Sequence, residues 1–403
     1  MRKNTSPHQR FFYEQELYDY LLSSENYHRI SEEALVSISL EHKQQTQFNL
    51  LASGIMLNEF NSPELHQAFT KAIKLLDLER ENLDISLYVV SDQSINAGCI
   101  FLGKDDYAVY LNAGLVNLLD LDELSFVIGH ELGHLKFLHH KIIKDPDTKI
   151  SPYLTMRLFE HSRYAEISAD RCGLLCVNSS IEIAKRVLLK LATGTNLGFI
   201  NTENFSADRQ IKLINDLINS HKNLINERMT HPHSQIRIFA LEHFNKLINK
   251  NDLSTKDIEE CDSKILEVLS LLNPKLDNNK NNILIYGCLW VSFSHKNNIE
   301  NRNAEIEYIK EICDPILVDQ ILDKTSKIAN KDKIKIYTKN FTDLLAHDNE
   351  MSMAAKSSIL EKISALASVD ENLDKTEYKV LKEISALLKL PDSFLEALLK
   401  KLF

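Results

Sequence analysis

Val127-Ile-Gly-His-Glu-Leu-Gly-His-Leu-Lys-Phe137 places His130-Glu131-x-x-His134 inside a run whose apolar residues recur at helical spacing. At 100° per residue, positions four apart return to nearly the same face of a helix, so both imidazoles can reach one metal ion from the same side. Glu131 lies one step round from His130, beside that ion rather than on it. A carboxylate there can take a proton from an attacking water and later pass it to a leaving amine. The pattern is that of a helix presenting two ligands to zinc together with a general base.

The motif needs a helix, and its surroundings supply one. Asp120 followed by Glu123 reads as an N-terminal cap with an acidic first turn, and Leu124, Val127, Ile128, Leu135 and Leu138 fall at helically spaced apolar positions. Gly129 and Gly133 would each weaken a helix by about 1 kcal/mol relative to alanine. Two glycines four apart therefore predict that another element approaches this helix closely.

A catalytic zinc takes a third protein ligand and keeps a fourth position open. The segment Ser162-Arg-Tyr-Ala-Glu-Ile-Ser-Ala-Asp-Arg-Cys172 offers Glu166 and Asp170, again four apart. Alone, such a pair reads as a solvated acidic face of a helix. Beside the first motif, Glu166 becomes the candidate third ligand, and Asp170 the group that holds a ring N–H of a histidine ligand and fixes its tautomer. A third histidine is the competing choice. His140 stands at the spacing of the longer His-Glu-x-x-His-x-x-Gly-x-x-His pattern, but Phe137 replaces the glycine that would turn the chain. His139 and His140 therefore read as helix-end residues, which favours Glu166.

Further along, Thr230-His-Pro-His-Ser-Gln-Ile-Arg237 opens another helix. With it, the order of motifs over roughly residues 60 to 245 resembles the zinc metallopeptidase family that includes the CAAX prenyl endopeptidases and the HtpX-type heat-shock proteases. Four segments match in order: Asn96-Ala97, the His130 helix, Arg163 with Glu166, Ala169 and Asp170, and Thr230-His231-Pro232 with Arg237. The resemblance implies one zinc per chain held by His130, His134 and Glu166, with Glu131 as general base and then acid. It implies that His231 donates to the oxyanion and that Arg237 and Asp170 brace the site. It also implies that Asn96 and Ala97 open an edge strand binding substrate. Leu87–Val90 and Ala108–Leu111 read as strands in their own right, being β-branched and aromatic. An edge strand beside the metal would bind an extended peptide through main-chain hydrogen bonds.

Composition sets outer limits. A chain of 403 residues can bury a sizeable core and accommodates more than one domain. The net charge of −10, without a long basic run, makes nucleic acid and anionic membrane surfaces poor partners. The N-terminal residues lack the apolar core of a secretion signal. The most apolar stretch, Ile283 to Phe293, is too short to span a bilayer. The six cysteines are scattered with no Cys-x-x-Cys pair, so reduced thiols and a cytoplasmic location are expected. Cys172 and Cys176 are expected to be buried packing residues.

The organisation expected is mainly α with a small β-sheet. An N-terminal helical segment covers 1–60, a zincin-like metallopeptidase domain 61–250, a linker region 251–282 and an all-α accessory domain 283–403. Ser62 and Pro63 mark the start of a helix in the second of these. The last part carries a weak internal repeat. Glu305-Ile-Glu-Tyr-Ile-Lys-Glu-Ile312 is matched by Glu377-Tyr-Lys-Val-Leu-Lys-Glu-Ile384, each reading as the second member of a helix pair. This spacing resembles the TerB-like helical fold and implies a recognition or regulatory role, with a protein partner. The acidic loop Val369–Asp374 lacks the glycine and full length of an EF-hand and reads as solvated. The function expected is zinc-dependent endopeptidase action on protein or peptide substrates. The alternative is a zinc-stabilised module that grips extended peptides, chaperone-like, without cutting them.

Overall fold

The computed structural model describes residues 9–23, 40–81, 83–103, 105–142, 152–198, 200–220, 232–250, 252–270, 278–295, 299–348, 351–369 and 373–402. Thr230, His231 and residues 370–372 of the acidic loop at 369–374 lie outside these residues. The chain divides into two compact units, one of residues 1–149 and 156–273, the other of residues 150–155 and 274–403.

The first unit contains α1 (Phe12–Ser23), α2 (Leu40–Ser53), β1 (Gly54–Leu57), α3 (Pro63–Leu75), β2 (Asp84–Val90), β3 (Ala97–Gly103), β4 (Asp106–Asn112), α4 (Ala113–Leu118) and α5 (Leu121–Lys136). It continues with α6 (Pro152–Cys176), from residue 156 onward, and with α7 (Ile181–Thr193), α8 (Ala207–Ser220), α9 (Ser234–Ile248) and α10 (Thr255–Leu269). The sheet runs in the order β1-β2-β4-β3, antiparallel at both margins and parallel between β2 and β4. Both short apolar runs read as strands lie inside β2 and β4. The edge strand β3 faces α5, which also packs on α3 and α7. Pro63 opens α3 as expected, with Ser62 at its N-cap position.

Residues 251–282 differ from the linker expected there, because Thr255–Leu269 forms α10 and Asn278 begins the next helix. The cause is local. Ser254 and Asp257 form a reciprocal capping box, and Cys261, Ile265 and Leu269 recur on one buried face. Buried Asp262 on this helix then receives the N–H of Phe12 at 2.9 Å and pairs with the buried guanidinium of Arg171. Residues expected to form a separate N-terminal segment are thus tied into the first unit.

The second unit contains α11 (Asn278–Ser294), α12 (Ile299–Ile312), α13 (Pro315–Thr325), α14 (Asn330–His347), α15 (Met353–Leu366), α16 (Lys375–Leu387) and α17 (Asp392–Leu402). Helix α11 holds the apolar run Ile283–Phe293 and is buried on most sides, with α14, α15, α16 and α12 packed around it. No helix of the described residues is long and apolar enough to cross a membrane. At one end of α11, His295 stands between Glu305 of α12 and Glu377 of α16, its two ring nitrogens 3.3 and 3.5 Å from the respective carboxylates. Burial opposes its charge, yet the carboxylates prevail and push its pKa up to about 9. All three are buried, and the geometry is that of an imidazolium clamped between two acids.

Candidate functional site

Helix α5 begins as its sequence dictates. Asp120 accepts from the Glu123 N–H at 2.9 Å, and the Glu123 carboxylate accepts from the Asp120 N–H at 3.0 Å, forming a full capping box. Glu123 is wholly buried and also receives Lys190 Nζ at 2.7 Å and Arg186 Nε at 3.0 Å from α7. Burial would raise its pKa, but these donors hold it below the ordinary carboxylate value.

The close approach expected at the glycines is made by α6. A Cβ on Gly129 would lie 2.6 Å from Cys176 Sγ, and one on Gly133 would lie 2.9 Å from Cys172 Cβ and 3.0 Å from Ala169 Cα. Cys172 and Cys176 are free, buried, and pressed into the two gaps. This contact brings the Glu166 turn of α6 over the imidazoles of α5.

The three candidate ligands converge. His130 Nε2 and His134 Nε2 are 3.1 Å apart, with the Glu166 oxygens 3.5 Å and 3.4 Å from them. Burial would neutralise Glu166, but Arg237 and the two histidines hold its carboxyl well below the usual range. Two imidazole nitrogens and an ionised carboxylate, close together and largely buried, form the donor set of a zinc site and fit that ion.

His130 is oriented from behind. Asp170 Oδ1 lies 2.9 Å from His130 Nδ1, so the ring proton sits there and the Nε2 lone pair faces the other ligands. Arg237 grips Asp170 twice, at 2.6 and 2.7 Å, and reaches Glu166 Oε2 at 3.2 Å. Glu131 is half-buried on α5. After burial itself, its charge is what raises the pKa of Cys99 on β3 and of Tyr110 on β4. The general-base candidate therefore lies near enough to β3 and β4 for its charge to be felt there. Asn96 is exposed just before β3, its carbonyl receiving the Asn112 N–H at 3.0 Å, and Ala97 pairs with Leu111.

One participant is absent from the sequence reading. Helix α5 stops at Lys136, and Leu138 takes a left-handed conformation (φ 56°) in place of the missing glycine. That turn swings His139 back, bringing its Nδ1 to 2.8 Å from His134 Nδ1. His140 goes the other way and stacks on Phe101 of β3 with centroids 4.8 Å apart, apart from the ligands as expected. Behind His139 lies Glu14 of α1, completely buried, 3.4 Å from His139 Nε2. The only signal for this in the sequence was a histidine just past the helix end.

Comparison with known proteins covers the part of the chain that holds His130 and His134. Residues 59–145 match the family model described as peptidase family M48. A curated relative, the chloroplastic plastoglobule-localized metallopeptidase 48 of Arabidopsis thaliana, is 26% identical over 157 residues. That alignment covers 36% of this chain and 44% of the relative, so the chain spans less than half the relative's length. No solved structure matches the chain. Over residues 59–145, which include the His130-Glu131-x-x-His134 helix, the chain is similar to the peptidase domain of family M48, a family of zinc metallopeptidases.

Proposed function

We propose that the protein is a zinc-dependent endopeptidase that hydrolyses peptide bonds of protein substrates. The observation that carries this reading is the convergence of His130, His134 and Glu166, with each imidazole's other nitrogen engaged. Zinc held by these three residues would supply Lewis-acid chemistry, polarising a carbonyl and easing deprotonation of water near neutral pH. Glu131, beside the ligands, takes the proton of the attacking water and returns it to the leaving amine. Asp170 fixes the tautomer of His130, and Arg237 secures both Asp170 and Glu166. His231, through the family resemblance, donates to the developing oxyanion. The start of β3 at Asn96 and Ala97 offers main-chain groups to an extended substrate.

The second unit, by its resemblance to TerB-like helical bundles, would recognise a protein partner. The six free cysteines suit a reducing, cytoplasmic setting.

The deciding experiment is Glu131→Gln, with zinc content and cleavage of an unfolded protein measured together. Retained zinc with cleavage lost by a factor of 100 or more, as removal of a general base entails (roughly 10²–10⁴-fold), supports the mechanism. Undiminished cleavage overturns it. Equal metal-dependent capture of peptide in both forms, without cleavage in either, would instead establish a binding module.

A further inference from the structure

The two imidazoles of the centre are held from behind in parallel fashion. His130 meets a carboxylate, Asp170, backed by an arginine, Arg237. His134 meets His139, and beyond it stands another carboxylate backed by an arginine, Glu14 with Arg10 Nη2 at 2.8 Å. We propose that Glu14, on the N-terminal helix, is a positioning residue of the zinc centre, setting through His139 the tautomer and orientation of His134. The inference rests on the zinc-site reading above and adds to it the first helix of the chain.

The argument is one of proton placement. His134 Nε2 faces His130 Nε2 at 3.1 Å and Glu166 at 3.4 Å, so to ligate it must present a lone pair there and carry its proton on Nδ1. That nitrogen lies 2.8 Å from His139 Nδ1, and two nitrogens sharing one hydrogen bond require one of them to be bare. His139 must then accept at Nδ1 and keep its proton on Nε2. The Nε2 side faces Glu14 Oε1 at 3.4 Å without a hydrogen bond, so the carboxylate acts on it through its charge, which favours the proton on that side. The His134–His139 hydrogen bond and the charge of Glu14 favour the same arrangement. Without Glu14, His139 can place its proton on Nδ1, which forces the proton of His134 onto Nε2, into the ligand cavity.

Glu14 is built to hold that position. It is completely buried, and besides Arg10 it receives His161 Nε2 at 3.0 Å and Ser168 Oγ at 3.3 Å. The start of α1 is fastened as well, Phe11 N–H donating to that Ser168 Oγ at 3.0 Å and Phe12 N–H to Asp262 at 2.9 Å. The carboxylate therefore approaches His139 from a fixed support.

The test is a zinc competition titration against a chromogenic chelator, on the full chain. Glu14→Ala and His139→Phe are expected to bind zinc about 10–100-fold more weakly, the usual effect of removing a group that orients a metal ligand. Glu14→Gln, which keeps an accepting oxygen, should lose less than Glu14→Ala. Asp262→Ala removes the acceptor of the Phe12 N–H at the start of α1, touches none of Glu14, His139 and His134, and should keep the wild-type affinity. Wild-type affinity in both Glu14→Ala and His139→Phe overturns the proposal. So does an equal loss in Asp262→Ala, since Glu14 would then be only an anchor for α1. Nitrogen-15 spectra of the histidine-labelled, zinc-loaded wild type need no variant to fold. They should show His134 protonated at Nδ1 and His139 at Nε2, and the reverse for His139 overturns the proposal. Failure of the wild type to take up zinc would refute the zinc site itself. Zinc uptake by wild type and Glu131→Gln, with the relay variants unaffected, would refute the relay alone.

Discussion

Gly133 shows how one missing side chain sets the geometry of the centre. A methyl group there meets Cys172 and the backbone of Ala169, so Gly133→Ala must push α6 away from α5. The helix-propensity gain of about 1 kcal/mol is outweighed by overpacking costs of roughly 1–3 kcal/mol. A lower midpoint in urea and weaker zinc binding are expected, and a more stable variant would contradict the packing argument. Asp170→Asn should weaken zinc binding by about 10–100-fold, as read by the same chelator competition, because an amide does not enforce one tautomer of His130. Much at this scale was readable in advance. Spacing of four puts His130 with His134, and Glu166 with Asp170, on common helix faces, and the glycines announced the contact between the two helices. His139 and Glu14 were not readable. Their meeting depends on a left-handed leucine at 138, where most sequences would use glycine, and on a helix 125 residues earlier in the chain.

Two ion clusters tie elements together and give them opposite pH responses. Glu123 joins the start of α5 to Lys190 and Arg186 of α7, and its folded pKa lies below its ordinary value of 4.5. Its contribution is therefore present above 4.5 and is lost as pH falls through the lowered value. Glu123→Gln should flatten the acid limb of stability against pH, measured as urea midpoints. His295 behaves in the opposite sense. With its pKa raised from 6.5 to about 9, the clamp joining α11, α12 and α16 is fully present below 6.5 and is lost as pH rises through about 9. His295→Gln should remove the decline in thermal midpoint between pH 7 and 10, and an unchanged decline would disprove the assignment. Elements were legible where a local signal governed them, as with the Asp120 box and the β-branched strands. α10 was misjudged because the polar composition of 251–282 masked an apolar face of only Cys261, Ile265 and Leu269.

In the molecule as a whole, the candidate site and the helical bundle fall in different units. His130, His134, Glu166, Asp170, Arg237, His139 and Glu14 all belong to the first unit, and the second has a core of its own around α11. A chain ended at Asn273 should still take up zinc in a one-to-one ratio, measured by elemental analysis after gel filtration, and loss of uptake would show that the bundle completes the site. The division was only partly legible, because a composition-based boundary cannot see which helices share a core. The candidate ligands come from two helices, with α5 giving the imidazoles and α6 the carboxylate. An ion gripping both is a cross-brace, absent from the unfolded chain, and at a free concentration 100 times its Kd it adds about 2.7 kcal/mol to stability. Metal supply would then govern how long the molecule survives as well as how fast it works, and a starved cell would lose this protein to unfolding as much as to inactivity.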